Sequence, residues 1–281
     1  DGLLSGLEAF GFNDLDGMDL FGNEKKKAEK EAAEKVLATK APQYTEKDFL
    51  LDKTYTCPIC DSQFKSRAVK ASSTKLVSTE MDLRPHHAFV DVTKYDAIMC
   101  PMCGYTALIR YFNSVLESQK KNIREKVCKN FKMHAGAPEV FSYDDAIERF
   151  KMALLNAVVK GAKNSEKAYI CLKTSWMYRG KAETVGVSDP TYGDIKAIEL
   201  EFTKNAYEGF VQAVATENFP MCGMDEITVD YLIGVLAFYT EHYDVSSKMI
   251  GKVLTNQLAS PRIKEKTRDL KEEVLKKLKN N

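Results

Sequence analysis

The sequence predicts a mainly α-helical protein with one small β module in its first half. Three observations support this fold class: turn-rich and β-branched composition over residues 44–113, helical periodicity from about residue 114 onward, and two Cys-Pro-x-Cys tetrapeptides inside the first region. We divide the 281-residue chain into an N-terminal arm with a short helix (1–43), the β module (44–113) and an antiparallel helical domain (114–281).

The bulk composition is that of an ordinary globular protein. The chain is 44% hydrophobic and 29% charged, and its net charge of +1 gives no global attraction to nucleic acid or membrane. The longest apolar run, residues 231–238, is too short to span a bilayer. The first residues lack the basic region of a signal peptide. We therefore expect a cytoplasmic protein without a membrane partner.

The N-terminal arm has an unusual composition. Residues 1–23 combine acidic and apolar side chains with five glycines, which predicts either an arm that packs on the body or a short peptide that docks on a partner. Residues 24–40 are rich in helix formers and predict an exposed helix that ends before Pro42.

The two cysteine pairs predict a single metal site. Cys57 and Cys60 form the first pair, Cys100 and Cys103 form the second, and 39 residues separate them. Two such turns supply four thiolates, which suit a tetrahedral zinc ion, and Gly104 permits the second turn to close. Because four thiolates leave no open position, the site should be structural. The long interval implies an inserted hairpin or loop.

Two other chemistries use the same residues. A rubredoxin-like iron site has four thiolates in the same arrangement, so spacing alone leaves iron open as an alternative to zinc. A redox dithiol is a third interpretation, which is weaker because no βαβ pattern surrounds either pair.

Local patterns assign the elements around the cysteines. The segments KTYTC and FKSRAV predict strands on either side of the first turn, and KYDAIMC predicts a strand that enters the second. The segment YTALIRYFNSVL, which follows the second turn, has a helical pattern.

Capping residues and glycines predict where the helices of the helical domain begin and end. Ser142 is the predicted N-cap of one helix, and Gly180 the predicted end of the next, which runs from Glu166 to Arg179. Later helices are predicted from Asp194 to before Pro220, from Glu226 to His242, from Asp244 to Gln257 and from Pro261 to the end.

Three helices share a pattern of small, large, small and aliphatic residues on one face. This pattern is typical of the second helix of a tetratricopeptide repeat, although the copies are 60 and 40 residues apart and a generic helical bundle is the alternative. Gly234 and Tyr243 occupy the positions that the repeat requires around the third copy. The copies are Ala146-Phe150-Ala153-Leu154, Ala206-Phe210-Ala213-Val214 and Ser246-Ile250-Val253-Leu254.

The remaining candidate residues are weaker. His86 and His87 lie between the cysteine pairs, but a satisfied or surface histidine is the simpler interpretation of each. Trp176 is expected in the core, and the other three cysteines are expected to be packed thiols. No catalytic motif is present, so we do not expect an enzyme. If the protein were an enzyme, the loop region with Arg179, Glu183 and Asp189 could line its cleft.

The chain resembles one bacterial family, the domain of unknown function 2225. The residues that carry the resemblance are LDKTYTCPICDSQF, MDLRP, YDAIMCPMCGYTA and AYICLKTSWMYR, and the similarity covers roughly residues 44–258. The resemblance implies a zinc-ribbon-like module joined to tetratricopeptide-like helices. It presents Cys57, Cys60, Cys100 and Cys103 as the presumed metal ligands and implies no activity.

These features predict an adaptor in which a structural zinc module supports helices that bind a protein or peptide partner. The alternative is a nucleic-acid-binding zinc ribbon, although acidic residues interleave with the terminal basic residues. The basic residues behind this alternative are Lys65, Arg67, Lys70, Lys75, Lys120, Lys121, Arg124, Lys126, Lys129, Lys132 and those of the terminal helix from Arg262 to Lys279.

Overall fold

Three short β-hairpins and seven α-helices follow one another along the described part of the chain. The computed structural model describes residues 44–70, 74–133 and 137–280. The arm and helix predicted for residues 1–43 lie outside these residues. From Thr45 onward the chain forms one compact unit.

The three hairpins are antiparallel and each has two strands. Tyr55 pairs with Phe64 in the first hairpin, and Ile98 pairs with Ala107 in the third. The strands predicted on both sides of the first cysteine turn are confirmed, and the insert between the cysteine pairs contains the second hairpin. The strands are β1 (Leu50–Thr56), β2 (Gln63–Val69), β3 (Leu76–Thr79), β4 (Pro85–His87), β5 (Ala97–Met99) and β6 (Thr106–Leu108).

The segment after the second cysteine turn is not a helix, so that prediction was wrong. Thr106–Leu108 is the strand β6, and a single 3₁₀ turn at Ile109–Tyr111 follows it. All three β6 residues are buried, because the strand pairs with β5 on one side of the module and contacts a helix. The apolar run TAL therefore reflects burial in a short strand, which periodicity alone cannot distinguish from a buried helical turn.

The helices occupy most of the chain after residue 116. The helices are α1 (Glu117–Ile123), α2 (Tyr143–Val159), α3 (Asn164–Val185), α4 (Tyr192–Thr216), α5 (Glu226–Tyr239), α6 (Tyr243–Thr255) and α7 (Pro261–Asn280). A π-helical turn, Arg124–Cys128, continues α1. The predicted fold class, mainly α with a small β module, is confirmed.

Local chemistry explains the helix boundaries and two corrections. Ser142 caps α2 as predicted, since its side chain accepts a hydrogen bond from the Asp145 amide. Gly180 does not end α3 but lies inside it, where an added Cβ would collide with the Tyr143 ring. The N-cap of α6 is His242 rather than Asp244, which lies in the first turn.

The shared small–large pattern lies on buried helix faces. Ala146, Phe150, Ala206 and Phe210 have no exposed surface, and Ser246 donates a 2.8 Å hydrogen bond to the Gly234 carbonyl. Each helix from α2 to α7 contacts the next along the chain. Small residues thus permit close helix packing, while the tetratricopeptide interpretation stays a prediction.

None of the described helices is both long and apolar enough to cross a membrane.

Candidate metal centre

The two cysteine pairs meet at one point of the β module. The Sγ atoms of Cys57, Cys60, Cys100 and Cys103 all lie within 4.8 Å of one another. The Cys57–Cys103 separation is 3.6 Å and the Cys60–Cys100 separation is 3.7 Å. Cys57 and Cys100 are fully buried, whereas Cys60 is the most accessible of the four. The sequence thus identified the four residues that come together.

Each pair sits in the same backbone turn. In the first, the Asp61 amide donates to the Cys57 carbonyl at 2.9 Å, and in the second the Gly104 amide donates to the Cys100 carbonyl at 3.0 Å. The residue after each second cysteine is left-handed, with φ of 58° at Asp61 and 73° at Gly104. Only the glycine could be predicted from the sequence, because aspartate adopts this conformation less readily.

Backbone and thiol donors surround the sulfur atoms. The Ile59 amide lies 3.5 Å from Cys57 Sγ, and hydrogen bonds from Cys103 and Cys57 lower the pKa of Cys100. The pKa values of Cys57 and Cys103 are raised, in each case mainly by the neighbouring Cys100 sulfur. Without a cation, such closely spaced sulfurs cannot all be thiolates, because like charges repel. A bound cation would remove that obstacle.

The separations fit a tetrahedral thiolate site. For metal–sulfur bonds near 2.3 Å, tetrahedral geometry places the sulfurs about 3.8 Å apart. The two distances above are close to this value. Within the residues that the structure describes, this is the only His, Cys, Asp and Glu group arranged to hold a metal ion. The four cysteines could therefore hold a metal, and they fill a tetrahedral coordination shell.

A fifth cysteine lies beside the site. Cys128, at the end of the π turn, is half-buried; burial is the main cause of its raised pKa, and the neighbouring Cys103 thiol opposes that rise. Its neighbour Val127 packs in the same apolar cluster as Cys57, Cys100 and Cys103. The sequence predicts only a packed thiol at this position, since nothing in it indicates that the turn after α1 returns to the cysteine cluster.

The other two scattered cysteines are packed thiols, as predicted. Cys171 is 6% exposed and belongs to the main helical core. Cys222 is 9% exposed and donates to the Ser165 carbonyl.

The second cysteine turn is fixed to the helical region. The side chain of Asn156, in the last turn of α2, donates to the Gly104 carbonyl at 3.2 Å. Tyr105, fully buried, donates its hydroxyl proton to the Phe112 carbonyl at 2.8 Å. An added Cβ at Gly104 would collide with the Phe131 ring. The metal centre is therefore part of the packed interior.

A second group of polar residues joins the β3–β4 hairpin to α3. Arg179 contacts three carboxylates: its Nε lies 2.8 Å from Glu199, its Nη2 lies 2.8 Å from Asp82, and its Nη1 contacts Glu80. Arg84, 2% exposed, pairs with Glu183 at 2.8 Å. We call these six residues, together with His86, the ionic cluster.

The ionic cluster balances burial with opposite charges. Burial opposes the charged form of Arg179, but Asp82 and Glu199 outweigh it and raise the pKa of the guanidinium. Burial alone would raise the pKa of Glu80. The positive charges of Arg179 and Arg84 outweigh burial, so the pKa lies below its usual value. Trp176 Nε1 donates to Asp82 at 3.0 Å, so the predicted core tryptophan also satisfies a buried carboxylate.

Of the remaining candidate residues, some lie in the ionic cluster and others do not. His86 Nε2 lies 2.6 Å from Glu80 Oε1, so it is a satisfied histidine as expected, and neither His86 nor His87 joins the metal group. Asp189 does not join Arg179 and Glu183; it is partly exposed and accepts a 2.8 Å hydrogen bond from the Thr191 amide.

The hairpin also contacts the last helices. The Tyr231 hydroxyl of α5 donates to the Met81 carbonyl at 2.7 Å, and Lys266 of α7 donates to the Thr79 and Glu80 carbonyls at 3.1 Å. Met81 and Leu83 pack against the core between α5 and α7. The hairpin thus lies across α3, α5 and α7.

Comparison with known protein families gives a match over most of the chain. The family described as "Uncharacterized protein conserved in bacteria (DUF2225)" matches residues 50–274. No curated protein and no solved structure matches the chain.

Proposed function

Because the chain belongs to the DUF2225 family, whose description records no activity, we propose a function from the geometry: a zinc-stabilised adaptor that binds a partner peptide. The observation that carries this proposal is the closed four-cysteine centre, which leaves no position for a substrate. The metal would then support the fold, and the binding surface would lie on the helices.

We take the metal to be zinc. Zinc would contribute charge neutralisation and folding energy at the four thiolates, without redox chemistry. Metal analysis of the purified protein tests this assignment. One zinc per chain in a colourless sample is expected, whereas a sample with visible thiolate-to-iron absorption would support the rubredoxin-like alternative.

The binding surface is constrained by the protein's own hairpin. Since β3–β4 lies across α3, α5 and α7, a peptide cannot use that face of the helices. A cleft of about 660 Å³ remains beside the hairpin, between α3, α4 and α5. We propose that this cleft is where the partner binds.

Two chemically different groups of residues line the cleft. Ala197, Leu200 and Tyr239 form an apolar wall, and Leu200 is 40% exposed there. Four charged residues, two acidic and two basic, also line the cleft: Glu80, Arg179, Lys196 and Glu199. Such a cleft suits a peptide that presents an apolar side chain next to a polar group. Lys196, whose side chain is 41% exposed, contacts Glu199 and is free to rearrange on binding.

A matched pair of variants tests the site. Leu200→Glu places a charge on the apolar wall of the cleft, while Leu155→Glu places the same charge at a 47% exposed position on α2, outside the cleft. We expect proteins captured by the wild type to be lost with Leu200→Glu and retained with Leu155→Glu. Photo-crosslinking from position 200 should then identify the bound segment. Equal capture by both variants would place the binding site elsewhere.

A further inference from the structure

The surface of α1, the π turn and the loop after it is strongly basic. Residues 117–133 contain six cationic side chains and only two acidic ones, while the whole chain has a net charge of +1. Lys121, Arg124, Lys126, Lys129 and Lys132 are all exposed. We call residues 117–133 the basic segment. Positive charge is therefore concentrated locally rather than spread over the molecule.

Most cations of the basic segment have no carboxylate partner. Lys120 pairs with Glu117 at 2.6 Å. Lys121, Lys126, Lys129 and Lys132 form no ion pair with any residue that the structure describes, and Arg124 donates instead to the Ile59 carbonyl at 3.1 Å. By contrast, several buried or half-buried cations elsewhere in the described residues are paired with carboxylates. Examples are Arg179, Arg84, Lys94, Lys160 and Lys173.

The basic segment is held in place by the metal module. Ile123 and Val127 are 0% and 3% exposed and pack in the same cluster as the metal cysteines. Arg124 contacts the first cysteine turn, and Phe131 lies against Gly104 in the second. The backbone carrying these lysines is thus ordered before any ligand binds, which lowers the entropic cost of binding.

We propose that the basic segment binds nucleic acid through its phosphates. Several unpaired lysines on one ordered surface match a polyanion of closely spaced charges, and neutralising phosphates releases condensed counterions. No aromatic side chain of the basic segment is exposed, so we expect contacts to the backbone and little sequence preference. This inference does not depend on the proposed peptide cleft.

The experiment is fluorescence anisotropy with metal-loaded protein and a labelled, mixed-sequence single-stranded RNA. The test variant is Lys126→Glu/Lys129→Glu/Lys132→Glu. Its matched control is Lys271→Glu/Lys277→Glu/Lys279→Glu, which makes the same charge change at exposed positions of α7. We expect binding that weakens with salt, a loss of at least about tenfold in the test variant, and a small change in the control. The dependence of log affinity on log salt should also flatten by about 2 in the test variant.

Three results would overturn the proposal. They are no binding by the wild type at low salt, equal losses in the two triple variants, and binding of polyglutamate as tight as that of RNA. Metal content and thermal unfolding verify that both variants are folded. If the Lys→Glu test variant is not folded, the measurement is repeated with Lys→Gln at the same three positions. The Leu200→Glu protein should bind RNA like the wild type. The experiment therefore tests RNA binding by the basic segment separately from peptide binding in the cleft.

Discussion

The metal centre and the ionic cluster both join segments that are distant in sequence, but they balance charge in different ways. The metal centre brings together Cys57 and Cys103, 46 residues apart, with four groups of one sign. The ionic cluster joins Asp82 to Arg179, 97 residues apart, with groups of both signs. As four thiolates the first would need an external cation, whereas the second contains cations and anions of its own.

This difference predicts that the two regions respond to different perturbations. Removal of metal should affect the β module and leave the α5–α7 region folded. Loss of one charged side chain should affect the contact between the hairpin and the helices and leave the metal in place.

The largest expected effect is that of Cys100→Ser. It removes a buried ligand from a site whose occupation contributes to folding, since structural zinc binds with roughly 10–16 kcal/mol in zinc-finger peptides. We expect loss of bound metal and of the near-ultraviolet signal from the aromatic residues packed beside the site. Metal analysis and circular dichroism provide the readout. Cys171→Ser, at a buried cysteine outside the site, should retain full metal content.

The next effect is that of Arg179→Ala. It leaves three carboxylates without their common partner, and breaking a buried pair costs about 3–5 kcal/mol. Chemical denaturation should show this loss with metal still bound. Arg67→Ala, which breaks the more exposed pair with Asp52, should cost under about 1 kcal/mol. Similar losses for the two variants would remove the distinction between the ionic cluster and an ordinary surface pair.

Substitutions after the two cysteine turns should have smaller effects on stability, and the effects should differ between the two turns. Gly104→Ala should destabilise the protein by at least about 1–2 kcal/mol, because the position is left-handed and faces Phe131. Asp61→Gly should be neutral within about 1 kcal/mol, since glycine adopts the same conformation freely. Thermal unfolding of the metal-loaded proteins measures both. A strongly destabilised Asp61→Gly would show that the Asp61 side chain contributes more than its conformation.

The smallest expected effect is a pH dependence at Glu80. Arg179 and Arg84 hold the pKa of this carboxyl below its usual value of 4.5, so its contribution is present above that value and is lost as the pH falls through the folded pKa. The stability difference between wild type and Glu80→Gln should therefore shrink as the pH drops below about 4.5. Denaturation at several pH values tests this. Glu125→Gln, at an exposed position, is the control for general effects of acid and for loss of metal. A stability difference between wild type and Glu80→Gln that persists at low pH would contradict this prediction.

Sequence reasoning was most successful where chemistry requires a particular residue type. The grouping of the four cysteines, the Ser142 cap and the strands around the first turn all follow from local rules. It failed where contacts between distant residues determine the local structure. Residues 106–108 form the strand β6 because they pair with β5, and Gly180 lies inside a helix, facing Tyr143. The ionic cluster could not be predicted, since nothing local indicates that the hairpin meets α3. The domain boundaries at 43/44 and 113/114 stay predictions.

The most direct test of the account is hydrogen exchange with mass spectrometry before and after metal chelation. We expect one zinc per chain, and on chelation a loss of protection at the cysteine turns and the flanking strands over residues 50–69 and 97–108. Residues 226–280 should keep their protection. Protection that is unchanged by chelation, or a folded protein purified without metal, would contradict the claim that a closed four-cysteine zinc centre holds the module together.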